Sequence, residues 1–247
     1  MPTRRRPLPI PELFLGLLAL AVAAVISVDN VNATIHEARH ARDTVSVTGS
    51  ARKPISSDLV RWSLRVSHES PNAASAARHL RGEVATVRSF LERQGIPAAA
   101  IKPGVVYAEK EVTQLPHHRR LVSYRVSQAL DISTHKLDVV GRTATTVGLL
   151  IAQGIDVSAE QPEYISTKLT KAKLDALAAA TADARQRAEI LVKGLGGKLG
   201  PMRRTQLGVY QITPRDSTEI SDYGINDTTS RDKDVNAVVT ATFAVKR

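Results

Sequence analysis

Hydrophobic and polar positions change period repeatedly along the chain, and the changes divide it into elements. Val45-Ser46-Val47-Thr48-Gly49 alternates and stops at a glycine, which predicts a short strand. Residues 59–67 alternate cleanly, with Val60, Trp62, Leu64 and Val66 on one face and Arg61, Ser63, Arg65 and Ser67 on the other. That is the pattern of a half-buried antiparallel strand. From Pro71-Asn72 the period becomes helical through Ala73, Ala76, Ala77, Leu80, Val84, Val87 and Leu91 to Gln94, with Gly95 capping and Ile96-Pro97 stopping the helix. Extended segments over 101–113 and 120–132 flank the turn Leu115-Pro116-His117-His118-Arg119 and predict a hairpin.

Residues 135–152 predict a second helix on Leu137, Val140, Val147, Leu150 and Ile151, ended by Gly154. A strand over 155–166 precedes a long alanine-rich helix over 168–195, with a stripe of Leu169, Leu177, Ala180, Ala184, Ala188, Leu191 and Leu195. The tail returns to strand at about 199–213, passes through an irregular polar segment at 214–233, and ends in a strand from Val235 to Val245. The order β-β-α-β-β-α-β-α-β-β predicts an α+β fold: antiparallel sheets with helices packed on one face.

The first thirty residues follow another rule. Arg4, Arg5 and Arg6 precede an uncharged run from Leu13 to Val28, 16 residues long. Its all-round apolar character after a basic cluster predicts one N-terminal membrane-spanning or signal helix, with the N-terminus in the cytoplasm. The run is short for a span, which takes ~20 residues, and extending it to Leu8 brings in Glu12. A signal anchor and a signal peptide cleaved near Val31-Asn32-Ala33 both fit. The expected organisation is signal anchor or signal peptide at 1–33, linker at 34–43 and α+β domain at 44–247. The domain is then placed in the periplasm, tethered to the inner membrane or free after cleavage.

Composition removes several classes of chemistry. The 247 residues include no cysteine, so there is no disulfide, thiolate metal site or cysteine nucleophile. The net charge is +10, and because residues 1–33 hold three arginines and two acids, +9 remains with the rest. Beyond residue 33 the cations are scattered, the longest runs being pairs such as Arg119-Arg120 and Arg203-Arg204, and no aromatics interleave with them. That excludes a stacking platform for nucleic acid and favours anionic lipid or envelope polysaccharide as acidic partners.

Candidate catalytic motifs lack the context that their chemistry needs. His36-Glu37-Ala38-Arg39-His40 spells H-E-x-x-H, which on a helix aims two imidazoles and a water-activating glutamate at zinc. It lies in the linker, with Arg39 and Arg42 beside the ligands and possible third ligands such as His68 or Glu69 on a strand end; it carries the alternative reading, a metal-dependent hydrolase. Ser50-Ala51-Arg52-Lys53 and Ser133-Thr134-His135-Lys136 match S-x-x-K without its companion motifs. Gly194-Leu195-Gly196-Gly197-Lys198-Leu199-Gly200 follows a helix, whereas a phosphate loop precedes one. His117-His118 reads as an exposed hairpin tip, Asp131 and Asp138 as isolated carboxylates, and Trp62 as core. No catalytic, cofactor-binding or metal residue is assigned, and no cofactor is expected.

The chain resembles the SIMPL-domain family of bacterial periplasmic immunogenic and oxidative-stress defence proteins over about residues 44–247. The resemblance is carried by Val45 to Gly49, Asp58, Leu91-Glu92-Arg93-Gln94-Gly95-Ile96 leading to Ile101, and Tyr124-Arg125-Val126-Ser127. Leu137-Asp138-Val139-Val140-Gly141, Leu195 to Gly200 and the final strand complete it. The chain departs from the family between Val112 and Arg120, where its aromatic-rich stretch is poorly kept. The resemblance implies an exported, non-enzymatic protein of the cell envelope, a homo-oligomeric assembly or binding module linked to envelope or oxidative-stress tolerance.

Overall fold

The computed structural model describes residues 43–116 and 119–246. The expected signal helix, the linker with His36, Glu37 and His40, and the pair His117-His118 lie outside the described residues. The described chain is mixed α+β and divides into two compact units. One holds the residues up to 50, 180–208 and those from 239 on; the other holds 51–179 and 209–238.

In the larger unit, β2 (Leu59–Ser70), β3 (Ile101–Leu115), β4 (Arg119–Thr134), β5 (Asp156–Ala159) and β6 (Glu163–Ile165) form an antiparallel sheet in which β4 lies between β3 and β2. The alternation of β2 puts Val60, Trp62, Leu64 and Val66 on the buried face, against Val126, Leu130 and Ile132 of β4. Helix α1 (Ala73–Arg93) buries Ala76, Leu80, Val87, Phe90 and Leu91 in the same core. Asn72 caps its start by accepting from the Ser75 N–H at 3.0 Å. Gly95, at φ 99°, ends it in the left-handed conformation that a side chain resists.

Two expected elements are broken, each for a local reason. The helix over 135–152 is α2 (Leu137–Thr146) followed by the short α3 (Gly148–Ala152). The Thr145 and Thr146 hydroxyls bond back to the carbonyls of Arg142 and Thr143, competing with the helical ladder at the break. The strand over 155–166 is β5 and β6, both paired with β2. Between them Pro162 has no N–H for the ladder, and the Trp62 indole donates to the Glu160 carbonyl at 2.8 Å.

The tail differs from expectation in the same way. The segment 199–213 is β7 (Lys198–Leu207) and β8 (Gln211–Pro214). The polar segment after it contains β9 (Ile225–Asn226), parallel to β8, an exception to the antiparallel pattern. The last strand, β10 (Asp232–Lys246), pairs with β8 in the larger unit and β7 in the smaller. In the smaller unit the first residues of β1 (Thr44–Ser56) pack with the second half of α4 (Leu169–Gly194). The helix buries a stripe of small residues at every fourth position there: Ala180, Ala184, Ala188 and Val192. Leu191 and Leu195, expected in that stripe, are 50% and 89% exposed. The strand sets the requirement for small side chains, since a Cβ on Gly49 would lie 2.3 Å from the Ala180 carbonyl oxygen. A leucine stripe would hold helix and strand too far apart.

Candidate functional site

The β1–β2 turn, the start of α2 and the loop before β10 border an open charged cleft of about 700 Å³ in the larger unit. Asp58 is fixed at the turn, where its carboxylate accepts from the Thr167 N–H at 2.7 Å and the Thr167 hydroxyl at 2.6 Å. Those hydrogen bonds hold its pKa below the usual carboxylate range. The His135 ring meets the Asp58 main-chain carbonyl; a carbonyl only accepts, so Nδ1 carries the proton and Nε2 is left for a ligand. Asp138, in the first turn of α2, accepts from Arg231 Nη1 at 2.6 Å, and that hydrogen bond and charge lower its pKa. The Arg231 guanidinium also lies 6.0 Å from the centre of the Tyr164 ring. Arg142 and Lys136 line the same cleft, and the Lys136 ammonium donates to the Gly95 carbonyl at 3.1 Å.

Both carboxylates of the cleft are held ionised by donors already in place, so neither is set up to deliver a proton near neutral pH. With Lys136, Arg142 and Arg231 on the walls, the cleft is suited to hold a small anionic or zwitterionic group by charge-assisted hydrogen bonds.

A second polar centre is Lys233, 3% exposed at the start of β10. Its ammonium donates to the carbonyls of Tyr164, at 2.7 Å, and Asp227. Burial lowers its pKa, and the Asp227 and Glu163 charges oppose the shift. Next to it a cavity of about 260 Å³ is walled by Ile55, Ile165, Leu169 and Ile212. The third centre pairs His68 Nδ1 with Glu83 Oε1 at 2.8 Å, and His79 stacks on His68 with ring centres 4.8 Å apart.

The expected motifs disperse. Ser50 and Lys53 are three apart on strand β1 and so face opposite sides. In the other S-x-x-K string Lys136 is committed to Gly95. His68 and Glu69, weighed as metal ligands, face Glu83 and Arg125 instead. Asp131 and Asp138 have partners distant in sequence, Ser63 and Arg231. Trp62 is core, 3% exposed. Among the described residues no group of three or more His, Asp or Glu side chains is placed to hold a metal ion, and no helix is long and apolar enough to cross a membrane. Sequence reasoning missed Arg231 and Lys233, which sat in the segment read as irregular. One signal was available for Lys233: it falls in phase with Val235, Ala237 and Val239, on the buried face of the strand.

The architecture is thus that of an α+β protein with helices laid on antiparallel sheet and a charged cleft at one turn. The SIMPL family, described as a protein of unknown function (DUF541), matches residues 45–243, and the chain belongs to that family. No curated protein matches it.

Proposed function

We propose that this is an exported, non-enzymatic protein of the bacterial cell envelope, tethered to the inner membrane or released from it, that works as a homo-oligomeric assembly or binding module supporting envelope or oxidative-stress tolerance. The observation that carries this reading is the β3 edge of the sheet in the larger unit. β3 is 15 residues long and, among the described residues, pairs with β4 alone. Beside the bulge at Pro103–Val106 and ahead of the charged run Glu109-Lys110-Glu111, it presents Val105, Val106 and Tyr107 at 54–65% exposure. A long edge with unpaired main-chain groups and apolar side chains favours addition of a strand from a second copy. The arginine cluster and apolar run at the N-terminus support export.

The test is the absolute mass of the detergent-solubilised full chain by light scattering, with zinc measured on the same sample. The expected result is a discrete multiple of the 26.7 kDa protomer, free of stoichiometric zinc. Val106→Lys with Tyr107→Lys should lower the mass to one protomer, with stability changed by no more than about 0.5 kcal/mol, as for other surface substitutions. A wild-type monomer would sink the assembly reading, and one zinc per chain would promote His36, Glu37 and His40.

A further inference from the structure

The smaller unit carries an exposed apolar and basic surface where α4 ends. Ile190, Leu191 and Leu195 are 63%, 50% and 89% exposed. Leu191 borders two shallow grooves of about 410 and 390 Å³, each walled on its far side by the first residues of β1. Residues 190–207 contain four cations and no acid. The nearest acids on the helix are already neutralised: Asp183 pairs with Arg187 and Glu189 with Arg185, both at 2.9 Å.

Two further observations indicate what covers this surface. Lys198 of β7 and Lys246 of β10 are direct cross-strand partners. Like charges so placed repel, and Asp43 on the neighbouring backbone brings one negative charge against their two. The surface also sits where the chain enters the unit, because the Asp43 carbonyl accepts from the Val245 N–H at 2.8 Å and Val245 lines one of the grooves. The uncharged run ends at Val28, so 14 residues separate it from Asp43. They span at most ~50 Å.

We infer that the end of α4 docks on an anionic lipid bilayer, with Leu191 and Leu195 entering the headgroup region and Lys198 and Lys246 meeting lipid phosphates. This deepens the tethered reading above and rests on it. Apolar side chains supply insertion and the lysines supply attraction to anionic headgroups, the combination by which a surface lies on a membrane without crossing it. A second copy of this chain is a poorer occupant, because it would bring its own lysines to the same place.

The chain contains no cysteine, so Leu195→Cys and, as control, Tyr223→Cys (wild-type Tyr223 is 97% exposed) each take one environment-sensitive fluorophore. The full chain is reconstituted in vesicles of phosphatidylglycerol with phosphatidylcholine, or of phosphatidylcholine alone, with and without doxyl-labelled lipid. The expected result is a blue shift and doxyl quenching at 195 in anionic vesicles only, abolished in 1 M salt, with no change at 223. Replacing Lys198 or Lys246 by Gln should cut the ratio of docked to undocked chain about fivefold each. A label at 195 as wet as the one at 223 overturns the proposal. So does a label that is dry but unquenched by doxyl lipid, which means a second copy covers it. Flotation of the same samples in high salt reads the tether separately, so a failed tether and a failed docking surface give different results.

Discussion

Lys233 shows how a single buried charge is tolerated. An ammonium 3% exposed is costly unless its protons find acceptors, and here two main-chain carbonyls accept from it. Lys233→Met should leave the Tyr164 and Asp227 carbonyls without their donor and cost about 2 kcal/mol, read by urea unfolding of the full chain. The pH dependence follows from the depressed pKa, which burial causes. Between the folded value and the ordinary one near 10.5 the unfolded chain binds more protons, so stability contributed at this site rises with pH across that window. The Met variant should lose that alkaline rise. A variant that unfolds at the wild-type urea concentration with the rise intact would show that Lys233 ties nothing together. Its burial was legible from strand phase; its acceptors were not, because Tyr164 and Asp227 reach it only through the fold.

At the scale of elements, the contact between β1 and α4 depends on the absence of side chains. A Cβ at Gly49 would lie 2.3 Å from both the Ala180 oxygen and the Ala184 nitrogen, backbone atoms that cannot swing aside. Gly49→Ala should therefore cost about 3 kcal/mol. Gly82, inside α1, has nothing within 4 Å of its added Cβ, so Gly82→Ala should stabilise by about 0.7 kcal/mol through helix propensity alone. Opposite shifts of the thermal midpoint check the pair, and equal shifts would contradict the packing. Strands and helices were legible where one period held for ten residues, as in β2, α1 and β10. The sequence pattern failed where a side chain replaced a backbone bond, as Trp62 does between β5 and β6. It also failed where residue size outranked hydrophobicity: the alanines of α4 face the strand and its leucines do not. The charged cleft was less legible still, because Asp58, Asp138 and Arg231 come from three distant segments.

Across the whole molecule, several aspartates are held ionised by donors distant in sequence or in a neighbouring turn. In the larger unit Asp58 is lowered by Thr167, Asp138 by Arg231 and Asp175 by Lys171. Burial raises Asp227, but hydrogen bonds from Thr229 and Ser230 outweigh it and the net shift is downward. In the smaller unit Asp183 is lowered by the Ser50 N–H and by Arg187. A carboxylate with a depressed folded pKa contributes stability that is complete above its ordinary pKa, 3.8 here, and is lost as pH falls through the folded value. The protein should thus hold its stability from neutral pH to about 5 and lose it steeply below about 4, taking up protons as it unfolds. Asp58→Asn removes one of these groups, and its amide still offers an oxygen to the Thr167 N–H. The variant should be less stable than wild type at pH 7, where the ionised carboxylate contributes, should converge with it as pH falls through the folded value of Asp58, and should take up less, by up to about one proton, on unfolding at pH 3. Urea midpoints measured at several pH values give that uptake as a slope. An unchanged slope would mean that Thr167 does not hold Asp58 ionised, and the cleft would lose the anchor at its turn.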